Sequence, residues 1–375
     1  MKRIGIMTWY TYQNYGTALQ AAALTHVISK LGYDANVVAY DPEMNGSHNN
    51  LSLFSRIKNR LSGTYPIIDD VRTSTFNKFV YENIPTTKKV ATEEDFNQID
   101  EEHSAFVCGS DQIWSPRCFD SHYYLDFVAD SNKKIAYAPS FGCDYISDCE
   151  TREKIAKLIT AYSFIAMRED SGSCIVKNLT GKSANVVLDP TLLLKPDQWE
   201  AFRRPYALSA EPYCLFYFLG ADANNINTAY KIAHNHDLRV YQLPVFMRQL
   251  KLSDTLGLDV GPSEFITLIK NASLICTDSF HCMAFATLFK RPFVGFERFD
   301  PKSSDSQNTR VYSFLKSVDL MDALIPRTAL ETWSDFPKGP AIDSIAQQRI
   351  DVMRAASIDY LQKSLSKATN GSLNG

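Results

Sequence analysis

The sequence has no excess of charge of either sign: 39 Lys and Arg stand against 42 Asp and Glu, a formal net charge of −3. Nothing in that balance draws the chain to a phosphate backbone or an anionic membrane, so a nucleic-acid partner is not expected, and only a local basic pocket is left open. The chain also lacks a run of the roughly 18 apolar residues that a membrane-spanning helix needs. No charged-then-apolar leader precedes the strand-like start Met1-Lys2-Arg3-Ile4-Gly5-Ile6-Met7, so a cytoplasmic location is expected. The eight cysteines include no Cys-x-x-Cys pair, and Cys108, Cys214 and Cys276 lie in apolar runs where a thiol packs as a small hydrophobe. A reducing compartment fits this better than a disulfide framework. Neither G-x-G-x-x-G at the first βα turn nor G-x-x-x-x-G-K-[ST] is present, which removes support for a dinucleotide site or a P-loop. His234-Asn235-His236 offers two metal-ligand side chains but no obvious third, so a solvated turn is the favoured reading and no metal is expected there.

What is present is ample material for a core, with 45% hydrophobic and 12% aromatic residues over 375 positions, enough for two domains. Ile4–Thr8 and Ala35–Tyr40 read as strands around a helical stretch, Thr17–Leu31, a βαβ opening with a parallel crossover. A polar stretch from Asp41 to about Thr64 reads as an insertion, with helical patterns after it to about Glu82. Further strands are expected at Ala105–Cys108, Lys134–Ala138, Phe164–Met167 and Asn185–Leu188, with helices such as Thr151–Tyr162 and Ser171–Leu179 between them. Asp189-Pro190, Lys195-Pro196 and the Arg203–Pro212 stretch break the alternation. A second series follows, with strands at Tyr213–Phe218, Leu238–Leu243, Leu274–Thr277 and Phe293–Phe296. The reading is therefore an α/β chain with two Rossmann-like domains, 1–200 and 201–340, facing a cleft where a ligand would sit, and a C-terminal helix and tail, 341–375, bracing them.

Chemistry-bearing residues fall just after the strands. Leu274–Thr277 stops at Asp278 and Ser279, either of which can cap the next helix, and this puts His281 in that helix's first turn. Unpaired N–H groups and the positive dipole end suit a phosphate or carboxylate there, and the histidine can donate a proton to it; the competing reading is a histidine packed on its own helix. Lys302 follows Phe293–Phe296 on a loop and could supply a cation, although a solvated lysine is the commoner fate. Arg168 ends Phe164–Met167 and suits a bidentate grip on an anion, or a salt bridge to Glu169 or Asp170. Gly109, Ser110 and Asp111 follow Ala105–Cys108. The loop Trp9–Thr17, rich in aromatic and amide side chains, suits a sugar as well as it suits plain packing.

Taken in order, Asn14-Tyr15-Gly16-Thr17-Ala18-Leu19-Gln20, Gly109-Ser110-Asp111-Gln112-Ile113-Trp114, Met167-Arg168-Glu169-Asp170-Ser171, Val187-Leu188-Asp189-Pro190-Thr191, Thr277-Asp278-Ser279-Phe280-His281 and Phe299-Asp300-Pro301-Lys302 resemble the polysaccharide pyruvyl transferase family. The resemblance runs from about Ile4 to about Leu320. It implies a fold similar to two-domain GT-B glycosyltransferases, and transfer of the pyruvyl group of phosphoenolpyruvate to two hydroxyls of a sugar, with a cyclic ketal formed and phosphate released. It implies Arg168, His281 and Lys302 as donor-binding residues, with phosphoenolpyruvate as co-substrate and no step that needs a metal or a redox cofactor; on chemical grounds His281 is the candidate catalytic acid or base, and Ser279 is a further donor-binding candidate beside it. Asn14, Tyr15, Gly16 and Asp111 are the candidates on the acceptor side. If the acceptor is lipid-linked, peripheral contact with the inner membrane face is expected. Many relatives carry glycine where this chain has Cys282. Two rival readings remain, a GT-B nucleotide-sugar glycosyltransferase and a non-catalytic protein that binds an anionic saccharide.

Overall fold

The computed structural model describes residues 1–40, 67, 69–303, 306–330, 342 and 344–370. The polar stretch from Asp41 to about Thr64 and the last five residues lie outside the described residues. The chain divides into two compact units: Met1–Asn49, Val80–Leu194 and Asp351–Gly375 form one, and Asn50–Phe79 with Lys195–Ile350 the other.

The first unit is built on a seven-stranded parallel sheet: β1 (Arg3–Met7), β2 (Asp34–Ala39), β3 (Thr86–Lys89), β4 (Ala105–Cys108), β5 (Lys134–Tyr137), β6 (Phe164–Met167) and β7 (Asn185–Val186). Its strand order is β3-β2-β1-β4-β5-β6-β7, so the winding reverses between β1 and β4. The connecting helices are α1 (Tyr15–Lys30), α2 (Asp70–Asn83), α3 (Glu93–Glu102), α4 (Cys149–Thr160) and α5 (Asp170–Thr180). Every residue of β4 and β5 is buried, as expected for parallel strands covered on both faces. Thirteen of the sixteen residues of α1 are buried, so this helix has no polar face to show. The apolar core of this unit contains Trp114 stacked on Tyr124, ring centroids 5.0 Å apart and 8° from parallel, with Phe141 tilted against the indole.

The second unit carries a five-stranded parallel sheet: β8 (Tyr213–Tyr217), β9 (Arg239–Gln242), β10 (Leu274–Thr277), β11 (Phe293–Phe296) and β12 (Leu324–Ile325), in the order β12-β11-β10-β8-β9. Here the winding reverses between β8 and β10. Its helices are α6 (Ala223–Asn235), α7 (Pro262–Asn271), α8 (Phe280–Leu288) and α9 (Thr309–Ser317). All nine residues of α8 are buried. The long α10 (Ser344–Asn370) changes unit after Ile350, and α2 changes unit after Phe79. The segment Asn50–Phe79, placed with the N-terminal domain from sequence, thus groups with the second unit so far as its residues are described, because Arg72 Nη1 donates to the carbonyl of Pro244 at 2.7 Å.

Strands β3 and β12 have no counterpart in the sequence reading. β3 is Thr-Thr-Lys-Lys and β12 only two residues long, so neither carries an apolar period; each is an edge strand whose register comes from its neighbour.

Candidate functional site

In open α/β sheets, ligands collect outside the carboxyl ends of the strands at the point where the winding reverses. Each unit has one such point, and each is lined by residues expected from the sequence.

In the first unit it lies beyond β1 and β4. Gly109 leaves β4 with φ +126°, and a Cβ there would fall 1.9 Å from the carbonyl oxygen of Tyr137, so only glycine fits. The turn delivers Ser110 and Asp111 to a buried polar network. Asp111 accepts from Thr17 Oγ1 at 2.8 Å, and Ser110 Oγ donates to Asp189 Oδ2 at 3.1 Å. Gln20 on α1 ties the network to β1, donating from Nε2 to Thr8 Oγ1 and to the carbonyl of Trp9 at 3.0 Å each, and accepting from the Ser110 N–H. Arg168, at the end of β6, sits inside it with a side chain 1% exposed. Its Nη1 reaches Asp189 at 3.1 Å and Asp111 at 3.4 Å, and its Nε lies 3.7 Å from Glu169. Burial alone works against its charge, but the three carboxylates outweigh that and raise its pKa further.

In the second unit the reversal lies beyond β8 and β10. Asp278, the residue after β10, turns its carboxylate into the β8–α6 turn and accepts from the N–H groups of Leu219 and Gly220, both at 2.7 Å. A Cβ on Gly220 would stand 2.7 Å from that carboxylate, so glycine lets the two backbones approach. Ser279, not Asp278, is the N-cap of α8, its Oγ accepting from the N–H of Cys282 at 3.4 Å. Thr277 Oγ1 donates to Tyr217 O at 2.6 Å and accepts from the Ser279 N–H, which fixes the turn to β8. His281 follows in the first turn of α8, buried, its ring edge-on to Phe280 with centroids 5.2 Å apart. It therefore stands at the positive end of an apolar helix, on a turn anchored through three separate contacts.

The sequence profile described as "Polysaccharide pyruvyl transferase" matches residues 14–301, well over half of the chain. The chain belongs to this family. No curated protein matches it. Among solved structures it is similar to UDP-GlcNAc 2-epimerase from Methanocaldococcus jannaschii, at 14% identity over 94% of this chain and 92% of that one, with a TM-score of 0.50. It is also similar to S. aureus MnaA, solved with UDP, at 12% identity over 94% and 95% of the two chains, with a TM-score of 0.52. These likenesses concern the fold, which is α/β of GT-B type with two Rossmann-like units.

For a pyruvyl transferase family member, the structure distributes the expected residues unevenly. Ser279 and His281 share one turn, while Arg168 and Asp111 share the network of the other unit. Lys302 is exposed on a turn where its own N–H donates to Asp300 Oδ1, so its cation stands in solvent in this conformation. Asn14 spends its amide oxygen capping α1, accepting from the N–H groups of Gly16 and Thr17. Tyr15 is fully buried and Gly16 is buried beside it, so the Tyr15 ring, expected on the acceptor side, has no surface to offer a saccharide. Trp9 and Tyr12 in the same loop are partly exposed, their rings in an edge contact with centroids 5.5 Å apart. Two residues were not singled out from sequence: Asp189, which bonds both Ser110 and Arg168, and Arg298, which lies beside Asp278. A signal existed for each, since Asp189 belongs to the Val187–Thr191 motif and Arg298 lies two residues after β11, close to the kind of position that drew attention to Arg168.

Proposed function

We propose that the chain is a phosphoenolpyruvate-dependent pyruvyl transferase that places a pyruvyl group on two hydroxyls of a sugar in a bacterial-type polysaccharide or its precursor. The observation that carries this reading is the turn Thr277–His281, which sets a histidine in the first turn of an apolar helix at a point of winding reversal, in a chain of this family.

In the reaction proposed, His281 gives a proton to the methylene carbon of phosphoenolpyruvate, and the neighbouring carbon becomes electrophilic. A sugar hydroxyl adds to that carbon. The bond from carbon to the phosphate oxygen then breaks, its electrons leaving on phosphate, and the second hydroxyl closes the ketal. One hydroxyl proton restores His281 and the other departs with the phosphate, so the step needs no oxidant. Ser279 and the dipole of α8 favour the anionic donor, and Lys302 adds a cation when its loop turns inward. Arg168 serves this scheme by holding Asp111 and Asp189, since its guanidinium is enclosed by three carboxylates that would repel a phosphate. Asn14 and Asp111 are the candidates kept on the acceptor side, and both free saccharides and lipid-linked repeats fit the proposal, the latter bringing the chain to the inner membrane face.

A nucleotide-sugar glycosyltransferase is the less favoured reading. The two N–H groups of the β8–α6 turn, a natural cradle for a diphosphate, are already taken by the carboxylate of Asp278.

The deciding measurement is phosphate release from phosphoenolpyruvate with a panel of galactose-, mannose- and glucosamine-type acceptors, comparing wild type with His281→Ala. Release that needs both an acceptor and His281 is the expected result. Absence of phosphoenolpyruvate binding, with binding of a nucleotide sugar instead, would overturn it.

A further inference from the structure

We infer that Arg298 is a donor-binding residue of the α8 site, a role that rests on the pyruvyl transfer proposed above. Arg298 stands two residues beyond the end of β11. Its Nη2 donates to the backbone carbonyl of Asp278 at 2.9 Å, and its Nε lies 3.4 Å from Asp278 Oδ2. One edge of the guanidinium is therefore pinned against the residue that precedes the N-cap of α8. The other edge, at Nη1, has no bond from any described residue, and the side chain is 19% exposed.

The pin does not use up the charge. Asp278 already accepts from two backbone N–H groups at 2.7 Å each, so its carboxylate is shared between them and Arg298. Arg168 is the contrast, enclosed by three carboxylates at 1% exposure. Arg298 also borders a small hollow of about 10 Å³, room for about one water molecule, together with Asp278, Phe280, Asn308, Arg310 and Tyr312. Phe280 is the first residue of α8, so the hollow adjoins the helix terminus that carries His281. A guanidinium held by one edge and open at the other loses little freedom when it meets a planar anion, which favours a two-point grip on a carboxylate or phosphate over a lysine's single point. The ligand class is a small molecule carrying both groups, as phosphoenolpyruvate does.

The experiment is calorimetric titration of wild type, Arg298→Gln and Arg298→Lys with phosphoenolpyruvate, inorganic phosphate and pyruvate, each variant also followed by thermal melting. The expected result is a loss of phosphoenolpyruvate affinity of at least about tenfold in Arg298→Gln with melting close to wild type, and partial recovery in Arg298→Lys. Should Arg298→Gln melt early, Asp278→Asn decides, because it removes the carboxylate charge beside Nε while the backbone carbonyl and the cation stay: affinity retained in Asp278→Asn supports ligand contact, and equal losses in the two variants overturn it. Wild-type affinity in Arg298→Gln overturns this inference and leaves the pyruvyl transferase reading standing. No phosphoenolpyruvate binding by the wild type removes both.

Discussion

Arg168 Nη1 lies 3.1 Å from Asp189 Oδ2, and the pair joins the end of β6 to the turn that follows β7. Because Asp111 and Glu169 approach the same guanidinium, deleting it would leave three buried carboxylates facing one another. Breaking a buried ion pair from one side costs about 3–5 kcal/mol. Arg168→Ala should therefore lose stability on that order in urea unfolding. Arg168→Lys should recover only part, since one ammonium cannot span Asp111 and Asp189 as the fork does. A change in Arg168→Ala below about 1 kcal/mol would mean that the network is not structural.

A second titratable cluster predicts a pH dependence. His122 Nδ1 bonds Asp120 Oδ1 at 2.9 Å, while Tyr40 donates to Asp120 Oδ2 at 2.7 Å, and Phe96 stacks on the imidazole at 4.5 Å. Burial opposes the histidine's charge, but the bond to Asp120 and the charges of Asp126, Asp120 and Glu93 prevail and raise its pKa. A raised histidine pKa gives stability that is fully present below the unfolded value of about 6.5 and lost as pH rises through the folded value. His122→Gln should thus be destabilised relative to wild type at pH 5.5, with the gap narrowing by pH 8.5. Unfolding curves at the two pH values measure it, and a gap that widens toward pH 8.5 would refute the sign.

Much of this was legible before any coordinates. Apolar runs such as Leu274–Thr277 and Phe293–Phe296 can be little other than buried parallel strands, and the polar residues that end them mark where ligands collect. What a side chain does there was not legible. Arg168 and Arg298 look alike in sequence, each following a strand, yet one is enclosed by carboxylates and the other keeps an open edge. That difference depends on Asp111, Asp189 and Asp278, which lie 57, 21 and 20 residues away in sequence from the arginines they bind. Tyr15 shows the opposite case: a loop rich in rings suits a sugar and plain packing equally in sequence, and packing wins at Tyr15 because α1, which it opens, is buried on nearly every side.

Gly220 tests how tightly the α8 turn must be held. A methyl group there would meet Asp278 Oδ2 at 2.7 Å and Arg298 Cγ at 3.0 Å. Gly220→Ala should push the carboxylate off the Leu219 and Gly220 N–H groups, costing about 1–3 kcal/mol for the buried acceptor bonds it disturbs. The effect on phosphate release should exceed what that stability loss explains at 25 °C, where the protein stays folded, because the displaced residue adjoins the cap of the helix that carries His281. Wild-type turnover in Gly220→Ala would show that the Asp278 contact is not needed for the chemistry.

Cys282, next to His281, raises the question of whether its thiol takes part. It is fully buried, and burial pushes its pKa up to about 12, a value that also holds for Cys108. The nucleophile in thiol chemistry is the thiolate, so a group with that pKa in a packed helix should be inert. Cys149 and Cys174 are exposed. A thiol reagent at pH 8 should therefore modify these two rapidly in the folded protein, and should reach Cys108, Cys214, Cys276 and Cys282 only after unfolding. Cys282→Ala should keep turnover within a few-fold of wild type, since it removes a small packed group and no reacting atom. Rapid modification of Cys282 in the native state, traced by peptide mass, would instead place its thiol at the donor pocket and make it a candidate for the reaction.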